Sequence, residues 1–180
     1  MKIILLMLST VILFGCTDKN SPNINNPQSG TEDYAAGEVL TALKDSITLE
    51  EYANYIYSMK NISINNIVAF NYYSTLPKDS MQVIISTLES RSYVWKGQST
   101  FAYNDSTSEL NIVLWIKDFN PPDIQDWELL KSRFSMFHIP SHFQVGQVNV
   151  SPGEETEWIN ILSKSSLFYA VELNYKTYAF

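Results

Sequence analysis

Apolar positions along the second half of the first hundred residues, and again later, fall on helical spacing. Tyr52, Tyr55, Ile56 and Met59 sit at i, i+3, i+4 and i+7, and Thr48 with Glu51 forms the capping box that opens such a helix. Met81, Ile84, Ile85 and Leu88 repeat the spacing behind Asp79, with Pro77 closing the segment before it. A third helix is predicted where Asn120 caps Pro121 and Asp123, turning Ile124, Trp127, Leu130 and Phe134 inward. Ser151, Pro152 and Glu154 supply the cap, first-turn proline and capping-box acid of a fourth, which carries Trp158, Ile161 and Leu162.

Between these helices the chain is rich in β-branched and aromatic residues, and six strands are predicted: 38–44, 66–73, 93–103, 109–117, 142–150 and 168–175. The turn residues Asn104, Asp105, Ser106 and Thr107 lie between the third and fourth, which should therefore pair antiparallel. The pattern also repeats. Leu43-Lys44-Asp45 and Ile116-Lys117-Asp118 each lead into a capped helix, a strand, a second helix and a closing strand, at a period of about seventy residues. Strand, helix, strand, helix, strand is the order of a ferredoxin-like unit, so the expected fold class is α+β, with two tandem ferredoxin-like units at 34–104 and 105–180. The alternative is one larger α+β sheet whose internal similarity is coincidental.

The first fifteen residues read differently. Lys2 precedes an apolar run from Ile3 to Phe14, too short for the ~20 residues of a transmembrane helix. Leu13-Phe14-Gly15-Cys16 resembles the lipobox of bacterial lipoproteins, although Phe14 is bulkier than the residue usual there. The resemblance implies a signal peptide at 1–15 and a lipid on Cys16, which would anchor the chain to a membrane. An ordinary cleaved signal with a leftover thiol is the alternative, but a lone thiol in an oxidising compartment would have no partner. Thr17 stands where an aspartate would imply inner-membrane retention, so the implied address is the outer membrane. From 16 to 33 the sequence is mostly Asn, Ser, Pro, Gly and Asp, the composition of a flexible tether.

Composition narrows the function. With 45% hydrophobic and 13% aromatic residues the chain can build a core without disulfides, and its net charge of -7 argues against nucleic acid as a partner. His138 and His142 have the i, i+4 spacing of a metal pair, but Pro140 breaks the helix that would align them, so neither is assigned to a metal. No G-x-S-x-G elbow accompanies a histidine, and the glycines are too scattered for a phosphate loop. No catalytic residue and no cofactor is assigned. Glu154, Glu155 and Glu157 suit the first turn of a helix. Trp127 and Trp158 fall on buried helix faces, while Trp95 and Trp115, on strands, could face either way.

Val148 to Glu154, then Trp158-Ile159 and Leu162, then Ala170 to Asn174 resemble the second half of the propeptide and inhibitor family of subtilisin-like proteases. In that family a ferredoxin-like unit packs on the protease and the residues after its last strand enter the substrate cleft. The resemblance implies a protease partner met by the tail 175–180, with Tyr175, Tyr178 and Phe180 as contact residues. The expected function is that of a lipid-anchored, non-enzymatic envelope protein that binds another protein. The alternative is a carbohydrate-binding or substrate-presenting accessory lipoprotein.

Overall fold

In the computed structural model of the protein, residues 34–175 are described. The expected signal peptide, Cys16, the expected tether, Tyr178 and Phe180 lie outside them. β1 (Tyr34–Leu43) leads into α1 (Leu49–Tyr57), whose capping box forms as expected: Glu51 N–H donates to Thr48 Oγ1 at 3.3 Å and Thr48 N–H to Glu51 Oε2 at 2.9 Å. β2 (Ser63–Ser74), α2 (Met81–Glu89), β3 (Thr100–Asn104) and β4 (Glu109–Lys117) follow. α3 (Pro121–Arg133), β5 (Met136–Ile139), β6 (Val145–Asn149), α4 (Glu155–Leu162) and β7 (Phe168–Tyr175) complete the described chain. Among these residues no helix is long and apolar enough to cross a membrane.

The fold is mixed α+β, with one antiparallel sheet of seven strands ordered β3-β4-β2-β6-β1-β7. The short β5 lies against the end of β2 that β6 does not reach. Ala69, at φ 61°, sits in the β2 irregularity where one neighbour gives way to the other. A bulge at that point lets one long strand bend to serve two partners.

Every strand pairing joins the half at 34–104 to the half at 105–180. β1 pairs with β6 and β7, β2 with β4, β5 and β6, and β3 with β4. β4 therefore lies between β2 and β3, and β1 between β6 and β7, so each half inserts its first strand into the other. Two self-contained ferredoxin-like sheets in tandem are not what these strands build. A split βαβ unit places parallel strands side by side, whereas all pairings here are antiparallel. Apart from the hairpin that the 104–107 turn announces, the local pattern specifies which segments are strands but not which strands they pair with.

All four helices contribute to one hydrophobic cluster. Val39, Ile67, Phe70, Tyr72 and Leu114 of the strands meet Tyr52 and Ile56 of α1, Ile84 and Leu88 of α2, Trp127 of α3 and Trp158 of α4. The core therefore lies between the helices and one face of the sheet.

Local differences from the predicted elements have physical causes. The expected strand 93–103 leaves the ladder after Val94, turns at Gly97 (φ 83°) and rejoins at Thr100. Pro140 interrupts the chain between β5 and β6, so a strand at 136–139 appears that the sequence pattern did not suggest, and the next begins at Val145 rather than His142. Asp79 lies in a 3-10 turn, Lys78–Ser80, ahead of α2 and does not cap it. Ser151 to Glu154 form a turn, with Glu154 N–H donating to Ser151 O at 3.0 Å, and α4 starts only at Glu155. The turn at 104–107 does join antiparallel β3 and β4, with Ser106 N–H bonded to Asn104 Oδ1 at 3.0 Å.

Candidate functional site

The sequence-predicted residues do not converge. Tyr175 ends β7 opposite Tyr34 and is exposed. His138 is half-buried in β5, its Nε2 2.7 Å from Gln144 Nε2, with Phe70 and Tyr72 against its ring. Burial pushes its pKa below the ordinary value, which keeps the ring neutral at pH 7, and the Gln144 amide donates to Nε2. His142 lies elsewhere on the surface, its Nδ1 2.7 Å from Asp45 Oδ1. Among the described residues no three of His, Cys, Asp and Glu are arranged as metal ligands.

Among the described residues the most buried ion pair, Glu50 with half-buried Lys131, clips α1 to α3. Its geometry is that of a cross-brace: Glu50 is 7% exposed on the inner side of α1, and burial lowers the Lys131 pKa. Shallow depressions flank these helices. One of 490 Å³ is lined by Glu128, Lys131, Ser132, Ser135, Met136 and Phe137, and one of 420 Å³ lies between α1 and α3. Neither encloses a ligand-sized volume behind a mouth, and in the first the Lys131 amine is engaged by Glu50.

A broader feature lies on the other side of the sheet. In β4 the alternation buries Leu110, Ile112, Leu114 and Ile116 under the helices and turns Glu109, Asn111, Val113, Trp115 and Lys117 the other way. Register carries that second face across the sheet. Lys117, Asn66, Gln147, Leu40 and Glu172 form one row, and Ala102, Asn111, Tyr73 and Phe137 another. Among the described residues no helix covers it, and its apolar side chains are absent from the hydrophobic cluster.

Two aromatic pairs stand here. The Trp95 and Trp115 rings are 6.1 Å apart and nearly perpendicular at 78°, with Trp95 39% exposed. Tyr73 and Phe137 stack at 5.3 Å and 27°, with Phe137 half exposed. Trp115 is held by its backbone: its carbonyl accepts Trp95 N–H at 2.8 Å and its N–H donates to Ser99 Oγ at 3.0 Å. The Asn66 amide donates to Gln147 Oε1 at 2.6 Å, and Asn174 to Glu38 Oε2 at 2.5 Å, which fixes polar groups across neighbouring strands. Trp127 and Trp158 are buried, as their helix positions predicted. The period-2 pattern of β4 was the signal for this face. What it could not say was which of the two faces the helices would cover.

A scan of protein-family models found no match to this chain, and neither curated proteins nor solved structures yielded a similar one.

Proposed function

We propose that this chain is a lipid-anchored envelope protein that acts without catalysis, by holding another protein against the open face of its sheet. The distribution of residues on that face carries the reading. Leu40, Val68, Val113, Trp115 and Val145 occupy its middle with the amides of Asn66, Asn71 and Gln147, while Glu109 and Lys117 stand at the ends of β4, Glu38 at the last pair of the β1–β6 ladder and Glu172 on the edge strand β7. Aromatic enrichment with charges confined to the margin is the pattern of a protein interface. Five inter-strand spacings of about 4.8 Å make the face about 24 Å wide, the scale of a small domain.

Inhibition of a subtilisin-like protease is a narrower form of the proposal. It draws on exposed Tyr175, from which the tail runs on to Tyr178 and Phe180 in sequence. The outer-membrane anchor belongs to the proposal through the lipobox resemblance at Cys16. So does duplication of one unit, because the reciprocal strand order is what two copies produce by exchanging first strands. A second reading, carbohydrate binding, is favoured by exposed Trp95, set edge-on to half-buried Trp115, since sugars stack on such rings.

A photo-crosslinking amino acid placed at Asn111, on the open face, and separately at exposed Gln125, on α3, tests the proposal in intact cells. The expected result is a discrete protein adduct from position 111 that Trp115→Ala abolishes, and none from position 125. Adducts to glycan alone would support the carbohydrate reading, and adducts equal from both positions would remove the open face from consideration.

A further inference from the structure

The two edges of the sheet are equivalent in strand order yet differ in how they are guarded. β3 and β7 each close one half and each end the sheet. β3 has five residues, is preceded by the excursion at 95–99, and is reached across the loops by Lys78, whose Nζ lies 5.1 Å from the Tyr103 ring centroid and 2.7 Å from Asp105 Oδ1. Short length, a break in the ladder and a lysine are the usual means of keeping an edge from pairing with another chain. β7 is longer and carries no lysine, and although its ladder with β1 shifts register near both ends, it runs unbroken from Ala170 to Leu173. Its eight residues, Phe-Tyr-Ala-Val-Glu-Leu-Asn-Tyr, contain no Pro, Gly or Lys, and among the described residues nothing pairs with its outer side. Beside its first turn of chain lies a depression of 50 Å³ lined by Ser163, Phe168, Tyr169, Ala170 and Val171, room for one small aliphatic side chain.

We infer that the outer edge of β7 takes an extended segment of a partner protein as an added strand, one that alternates basic and small apolar residues. The inference rests on the reading of this chain as a protein-binding module and adds a second contact surface to it. Backbone pairing supplies affinity in such additions, and side chains on alternate positions supply selectivity. On the helix side of β7, Val171 packs toward the core and the small depression is open, which suits an apolar residue. On the opposite side Glu172, level with Leu40, is the only charged residue of the strand and calls for a cation. The same glutamate disfavours a second copy of the chain as occupant. Two β7 strands centred on position 172 would oppose glutamate to glutamate, on molecules of net charge -7 each.

The probe is a capped seven-residue peptide alternating valine and lysine, added to the whole chain in mild detergent and followed by fluorescence anisotropy. Its valine–glutamate counterpart and two N-methylated versions, blocked on alternate residues in opposite phase, are the controls. The expected result is binding of the lysine peptide that only one N-methyl phase abolishes. Glu172→Lys should weaken it about tenfold and strengthen the glutamate peptide. Binding indifferent to Glu172→Lys or to N-methylation would overturn the inference, as would no binding at millimolar peptide. Two further results would assign the edge to another occupant and also overturn it: binding that appears only after deletion of residues 176–180, or a dimer that Glu172→Lys alters. Trp115→Ala should leave peptide affinity unchanged, so failure at the β7 edge and failure at the open face are separately visible.

Discussion

Glu155 accepts the backbone N–H of Gly37 through Oε1 at 2.5 Å, tying the first turn of α4 to β1 across 118 positions of sequence. Gly153 N–H bonds the same carboxylate at 2.9 Å to Oε2, and Gly37, at φ 80°, passes its own carbonyl to Val150 N–H at 2.8 Å. The residue that the sequence placed in the first turn for the helix dipole is thus also a brace between the two halves of the chain.

Stability should report that brace through pH. Burial raises the Glu155 pKa, but the N–H donors of Gly37, Glu155 itself and Gly153 outweigh it, and the group titrates below its ordinary value. A carboxyl depressed in the folded state stabilises the fold fully above its unfolded pKa of about 4.3, and that contribution is lost as pH falls through the folded value. Glu155→Gln should therefore lower stability by about 1–3 kcal/mol at pH 7. The gap between variant and parent in urea unfolding should close toward pH 3. A gap that stays constant with pH would show that charge at this position is irrelevant.

Gly146 makes room for a hydrogen-bonded core pair. Its carbonyl accepts Thr41 Oγ1 at 3.0 Å, Thr41 Oγ1 lies 3.1 Å from Tyr52 Oη, and a Cβ added at 146 would come within 2.2 Å of that hydroxyl. Tyr52 is fully buried, and desolvation raises its pKa well above the ordinary tyrosine value, so the hydroxyl stays protonated. Gly146→Ala should force β6 away from α1 at a cost of about 1–3 kcal/mol, the range of overpacked cores. Thermal unfolding measures it, and an unchanged melting temperature would mean that the core yields more freely than this geometry allows.

Because among the described residues no strand pairs within its own half, fragments 34–104 and 105–180 should each lack a cooperative thermal transition. Mixed in equal amounts they should recover one, since every ladder forms between them. Independent folding of either fragment would contradict the interleaved sheet.

Cys16 is the single thiol of the chain, and Cys16→Ser removes the only acceptor for the lipid that the lipobox implies. The variant should move from the membrane to the soluble envelope fraction with its circular dichroism spectrum unchanged. Continued membrane retention after detergent-free washing would count against anchoring through this residue.

Where most of the elements lie is legible in the sequence, because caps and periodicity act over a few residues. Thr48 and Glu51 bond within one turn, β4 and β7 begin and end where their composition changes, and Asn104 to Thr107 close a local hairpin. It did not foresee β5, a strand of four residues too short to show a period, nor the break at 95–99, where Ser99 Oγ replaces a backbone group of the ladder. Beyond the β3–β4 hairpin, tertiary packing set which strands pair. Apart from β5, each half of the chain carries the same order of strands and helices, and that order is compatible with two separate sheets or with one interleaved sheet, since hydrogen bonds between strands carry no record of sequence distance. Packing selected the second, and only then did Trp115 and Tyr73 come to stand on an open face while Tyr72 and Leu114, their sequence neighbours, went into the core.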